Sequence, residues 1–330
     1  MRYNQLGNTG IKVSHVSVGG ASFSGIYGKF DEERSINLIR ESLNLGINYL
    51  ETSPWYGQGT SEKTMGKALA GIPRESYFIG SKVGRYEKET QKMFDFSAEK
   101  TAFGVDNTLE LLGIDYVDII QIHDPTFAPD ISVILKETLP VLAKAVNDGK
   151  ARFIGLADYD IDLMKDIVEE SEIHISSILS YAKSTLLDNR LQNYTKYFKS
   201  KGIGVINAAA TGMGLLTNNG PQSWHPARED IKALCKKASE FCQIKNVELA
   251  RLATWFSLNQ PGIDTNVCGF FNSSQLSDTL EVLDSGLTDL EKDVFDELQV
   301  KFFNKVIMHW DDVELPIYKD EIILTPQSVQ

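Results

Sequence analysis

The feature that most constrains this chain is a joint that recurs along it: a run with helical periodicity, then a glycine, then a short β-branched or aromatic run. Gly46-Ile47, Gly113-Ile114, Gly149-Lys150 and Gly202-Ile203 are such joints. Glycine suits them because the residue that closes a helix often takes a left-handed conformation that a Cβ disfavours. The spacing predicts strands over Val13–Val18, Asn48–Glu51, Tyr77–Lys82, Tyr116–His123, Arg152–Leu156, Ile178–Tyr181, Gly204–Ala208 and Thr265–Gly269. Helices are expected over Asp31–Leu45, Ser61–Ala70, Ser97–Leu112, Asp130–Val146, Ile161–Glu169, Leu191–Lys199, Glu229–Phe241, Val247–Leu258 and Ser274–Leu283. About eight such strand–helix units close a (β/α)8 barrel in about 250 residues.

No Pro/Ser-rich linker or low-complexity tract divides the 330 residues. The expectation is therefore an α/β chain forming one (β/α)8 TIM-barrel domain over residues 1–330. The surplus length is assigned to an N-terminal hairpin, Tyr3–Leu6 with Lys12–Ser14, and to a C-terminal extension after Leu287. A doubly wound parallel sheet is the alternative. Its nearest fingerprint, Gly212-Met-Gly-Leu-Leu-Thr217, lacks the third glycine, lies late in the chain and precedes no clear helix, so it reads as a glycine turn.

Charge narrows the partners. Lys and Arg number 33 against 45 Asp and Glu, a net −12, which disfavours nucleic acid and anionic membrane surfaces. No apolar run approaches the ~18 residues of a membrane span, and the N-terminus lacks a secretory apolar region. Cys235, Cys242 and Cys268 form no CxxC and read as reduced thiols, so a cytoplasmic location is expected. The five histidines are scattered, and no metal site is expected.

A barrel places its chemistry at the C-terminal ends of its strands. Glu51, Trp55 and Tyr56 follow the second predicted strand, Lys82 ends the third, and His123 and Asp124 end the fourth. A tyrosine beside an ammonium is a usable acid/base, because the cation favours the phenolate. A buried ammonium in turn needs a carboxylate such as Glu51 to stay charged. Each residue alone has a bland reading: a solvated Glu, a surface Lys, a core His, or aromatics packing over the mouth. Their joint occurrence at successive strand ends carries the argument.

Gly46-Ile-Asn-Tyr-Leu-Glu-Thr-Ser-Pro-Trp-Tyr-Gly57, Gly80-Ser-Lys-Val-Gly84 and Ile120-Gln-Ile-His-Asp124 resemble the aldo-keto reductase superfamily, and the likeness runs over nearly the whole chain. Within it, Gly20-Ala-Ser22, the Thr52–Gly57 turn and Met213-Gly-Leu-Leu-Thr217 most resemble the branch of L-galactose and D-threo-aldose 1-dehydrogenases. The resemblance implies NAD or NADP bound at the barrel's C-terminal face and hydride transfer between nicotinamide C4 and a carbonyl or hemiacetal carbon. It also implies a small carbonyl or sugar substrate and a monomer or weak homo-oligomer. Carried over by position, Tyr56 gives or takes the proton, Lys82 lowers its pKa, and His123 and Glu51 complete the catalytic set, with Trp55, Tyr56 and His123 facing substrate.

The cofactor residues implied in the same way are Gly20, Ala21, Ser22, Glu51, Ser180, Ala208, Ala209, Gly214, Leu215, Gly269, Phe270, Asn272, Gln275 and Asp278. The chain departs from the family's pattern with Glu51 for Asp, Ala157-Asp158 after the fifth strand and Ala209-Ala210-Thr211 after the seventh. No Lys or Arg occurs from Asn266 to Leu290. A ribose 2′-phosphate wants a cationic fork, so NAD is favoured over NADP. Two other functions compete: an impaired relative that binds a dinucleotide or a protein partner, and a cofactor-free barrel in which Glu51 abstracts a proton.

Overall fold

The computed structural model describes residues 1–304 and 307–324; residues 305–306 and 325–330 of the expected C-terminal extension lie outside the described residues. The strands are β1 (Tyr3–Gln5), β2 (Lys12–Ser14), β3 (Val16–Gly19), β4 (Tyr49–Glu51), β5 (Phe78–Val83), β6 (Val117–His123), β7 (Ala151–Asp158), β8 (Ser177–Tyr181), β9 (Gly204–Ala208) and β10 (Thr265–Cys268). β3 to β10 close in chain order into a barrel, every neighbouring pair parallel, with β10 completing the ring against β3. This is the (β/α)8 TIM barrel that the glycine joints predict. Gly113 shows why they do: at φ +66° its N–H donates to Leu109 and Glu110 carbonyls, ending helix Ala98–Leu112.

The expected strand Val13–Val18 is two strands. Its first half pairs antiparallel with β1 and its second half enters the parallel barrel, and the chain changes direction at His15, whose N–H donates to the Arg2 carbonyl at 2.8 Å. The hairpin closes the barrel floor. Leu6, Ile11 and Val13 pack with Tyr49, Ile119 and Ile206 inside the barrel, and the Asn8 N–H bonds the Gly202 carbonyl at 2.7 Å. A larger core lies between the barrel and its helices.

The expected helix Asp130–Val146 is interrupted by a wide π turn over Ile134–Thr138. Pro140 has no N–H to give to the carbonyl four residues back, and the turn absorbs the missing bond. Past Leu287 the extension contains helices Asp289–Leu298, whose N-terminus is held by a Thr288/Glu291 capping box, and Asp311–Leu324. No helix among the described residues is long and apolar enough to cross a membrane.

Candidate active site

Glu51 ends β4, Lys82 lies one residue from the end of β5 and His123 ends β6, so three adjacent strands deliver them to one rim. Tyr56 comes from the tight turn after β4, held by bonds from Tyr56 N to Ser53 O at 3.0 Å and from Gly59 N to Pro54 O at 2.9 Å. The Lys82 ammonium is 1% exposed. It pairs directly with the Glu51 carboxylate, donates to Thr52 O at 2.9 Å and donates to the Tyr56 hydroxyl oxygen at 3.1 Å. The Tyr56 ring meets His123 edge-on, centroids 6.0 Å apart. The four residues singled out by strand position therefore form one contiguous cluster.

His123 is held by two neighbours. Ser53 Oγ lies 3.0 Å from its Nδ1, and Asp124 Oδ2 lies 3.6 Å from its Nε2. Asp124 is bound by Arg85 at 2.7 Å, and the Arg85 guanidinium lies 4.4 Å from the Trp55 ring centroid. Asp124 takes a left-handed backbone at φ 54°, a conformation uncommon for a residue with a Cβ and more frequent at functional sites.

Burial dominates the electrostatics. It pushes the Lys82 ammonium well below its ordinary pKa, with Asp124 opposing; the touching Glu51 carboxylate is the group placed to keep it charged. Burial also pushes the Tyr56 phenol up, with Tyr27 and Asp124 adding to the rise and Arg85 opposing it. The cation that opposes the rise is Arg85, and the lowering expected from Lys82 does not set its direction. His123 is pushed well down by burial, then by Lys82 and Arg85, all of which favour its neutral ring.

The cofactor positions divide. Ser180 Oγ and Asn207 Oδ1, at register-paired positions of β8 and β9, are buried without hydrogen-bond partners among the described residues, as an amide-bearing ligand would require of its site. Ala208 ends β9, and beyond it Ala209 (φ 61°) and Gly214 (φ 99°) fold the loop through left-handed turns, with Leu215 buried in the core. Gly20 opens the 3-10 turn carrying Ala21 and Ser22, and its missing Cβ is explained by Ser61 and Glu51 packed against it. Gly269 leaves room beside Ser22, while Phe270 is buried.

Asn272 caps helix Ser273–Ser285 by accepting from Gln275 N at 2.9 Å, Gln275 Oε1 accepts from Phe271 N at 2.8 Å, and Asp278 receives Ser274 Oγ at 3.5 Å. Asp158 is likewise committed to the fold, accepting from Thr126 N at 2.8 Å and Asp160 N at 3.0 Å.

The strand ends gave no sign of Arg85 or Tyr27 and no role for Ser53, and the C-terminal segment could be given no orientation from sequence. Trp310 is buried against His225 (4.7 Å) and Tyr181 (6.4 Å), and Tyr318 meets Phe94 and Phe127 edge-on at 5.1 and 5.3 Å. Lys183 anchors this segment through Asp311.

The barrel and rim define the architecture of a TIM-barrel enzyme. The aldo/keto reductase family model matches residues 15–317, and the chain belongs to that family of oxidoreductases. It is 38% identical over 289 residues to an L-galactose dehydrogenase of Arabidopsis thaliana, covering 87% of this chain and 88% of the relative. It is 33% identical to a D-arabinose 1-dehydrogenase of Saccharomyces cerevisiae, covering 75% and 76%. The fold matches the holo form of an aldo-keto reductase from Bacillus halodurans with a TM-score of 0.72 at 24% identity, over 93% of this chain and 99% of that one.

Proposed function

We propose that this protein is a nicotinamide-dependent aldose 1-dehydrogenase that oxidises a sugar hemiacetal, with Tyr56 taking the anomeric hydroxyl proton. The observation that carries the reading is the chain of contacts Glu51–Lys82–Tyr56 beside His123. When bound, the nicotinamide dinucleotide supplies the hydride acceptor. For this oxidation Tyr56 meets the hemiacetal as the phenolate, its own proton having passed to solvent; Lys82 donates to that oxygen and offsets the burial that disfavours the charge, and the phenolate then takes and holds the anomeric hydroxyl proton. His123, neutral and at the edge of the Tyr56 ring, is placed to hydrogen-bond the reacting oxygen. The Arg85–Asp124 pair supplies donors and an acceptor suited to sugar hydroxyls, and Trp55, with Arg85 against its ring, offers an aromatic surface to the apolar side of a sugar. The names of the two curated relatives, both sugar dehydrogenases, agree with this choice.

The test is NADH formation across an aldose panel containing L-galactose, L-fucose and D-arabinose, with turnover expected for at least one. Dinucleotide binding without turnover of any aldose would favour the impaired-relative reading, and failure to bind either dinucleotide would remove hydride transfer altogether.

The residues also favour NAD over NADP. Besides the cation-free run from Asn266 to Leu290, a groove beside it is lined by Asp31, Glu33, Arg34, Glu41, Asn272 and Ser273, with Ser273 Oγ bonded to the Glu41 carboxylate at 2.5 Å. Three carboxylates against one guanidinium oppose a doubly charged phosphate. Fluorescence titration is expected to give tighter binding of NADH than of NADPH, and the reverse order would overturn the preference.

A further inference from the structure

We infer that Ser53 is a positioning residue that holds His123 in the neutral tautomer bearing its proton on Nε2, making the imidazole a hydrogen-bond donor to the reacting oxygen rather than a base. The inference deepens the proposed function and rests on its placement of His123 at that oxygen. Ser53 is fully buried, and a hydroxyl has one proton to give and lone pairs to receive. The Trp55 N–H already donates to Ser53 Oγ at 3.2 Å, and His123 Nδ1 lies 3.0 Å from the same oxygen.

If Nδ1 is unprotonated, it accepts the Ser53 proton and every group in the chain is satisfied. If Nδ1 carries a proton, in the other tautomer or in the imidazolium, Ser53 Oγ receives two N–H groups and its own proton is left buried without a partner. Buried donors are seldom left so. Two cations facing the ring, Lys82 and Arg85, also oppose the imidazolium. Asp124, the carboxylate that would favour it, is bound by Arg85 at 2.7 Å. On the opposite edge of the ring, Nε2 stands 3.6 Å from Asp124 Oδ2, beyond hydrogen-bond reach, which leaves its N–H for a substrate oxygen. A neutral N–H donor aimed at a developing oxyanion stabilises it without a proton-transfer step.

The test uses two-bond 1H–15N correlation spectra of the full-length protein labelled at histidine. At pH 7 wild-type His123 is expected to show a bare Nδ1 and a protonated Nε2. In Ser53→Ala the tautomers mix, and His123 titrates at higher pH because the bond favouring its neutral form is gone. In the same variant kcat falls by up to about 100-fold with KM little changed, and Ser53→Thr, which keeps the hydroxyl, recovers the wild-type spectrum. A protonated Nδ1 in the wild type overturns the inference, as does a Ser53→Ala protein whose tautomer and titration match wild type. Should Ser53→Ala fail to fold, the wild-type and Ser53→Thr spectra decide. The spectra need no turnover, so a protein with the stated tautomer and no sugar oxidation refutes the proposed activity while leaving the tautomer assignment standing.

Discussion

The Tyr56→Phe variant is expected to lose between about 100- and 10,000-fold in turnover, the range a positioned acid/base contributes. The ring stays, so its edge-on packing with His123 and the overlying Lys82 ammonium, 4.6 Å from the ring centroid, are preserved. What goes is the one hydroxyl that Lys82 bonds at 3.1 Å. Initial rates at saturating dinucleotide report the loss, and a fluorescence titration is expected to show dinucleotide binding within a few-fold of wild type. Unchanged turnover would remove Tyr56 from the chemistry and leave the cluster a structural ion pair.

Glu51→Gln is expected to be costly in a second way, because it takes away the carboxylate in contact with the buried Lys82 ammonium and leaves only the more distant charge of Asp124. Removing one partner of a buried ion pair typically destabilises by about 3–5 kcal/mol, readable as a lower denaturant midpoint with an unchanged slope. The pKa of Lys82, already pushed down by burial, falls further, so the ammonium that supports Tyr56 is lost at neutral pH and turnover falls with it. Glu51→Asp keeps the charge and removes one methylene; it is expected to stay folded and to keep measurable turnover, with an effect smaller than that of Gln. A Gln variant as stable and as active as wild type would show that the Glu51–Lys82 pair has neither role.

These two substitutions fall on residues that could be found without coordinates. Glu51, Lys82 and His123 stand at the ends of predicted strands, and once the strand count points to a barrel, its geometry brings such ends together. The implied cofactor positions were less legible. Gly20 is explained by Ser61 and Glu51, and Asn272 and Gln275 by a helix cap; a residue type at the right place in a motif does not reveal whether its side chain is already committed to the fold. Ser53 was inside the quoted motif with no role attached, since only its distance to a histidine 70 residues away gives it one.

The sequence by itself determined the barrel, the hairpin and three of the strand-end residues, because each is written in a local pattern: glycines where helices end, apolar runs of strand length, and polar residues at the strand ends. Tertiary structure alone decided that Arg85 binds Asp124, 39 residues on, that Trp310 packs on Tyr181 at the end of β8 and Tyr318 on Phe127 just past β6, and that burial rather than Lys82 sets the direction of the Tyr56 pKa. Those outcomes depend on how far each group is taken from water and on which charge it meets there, and neither quantity has a period along the chain.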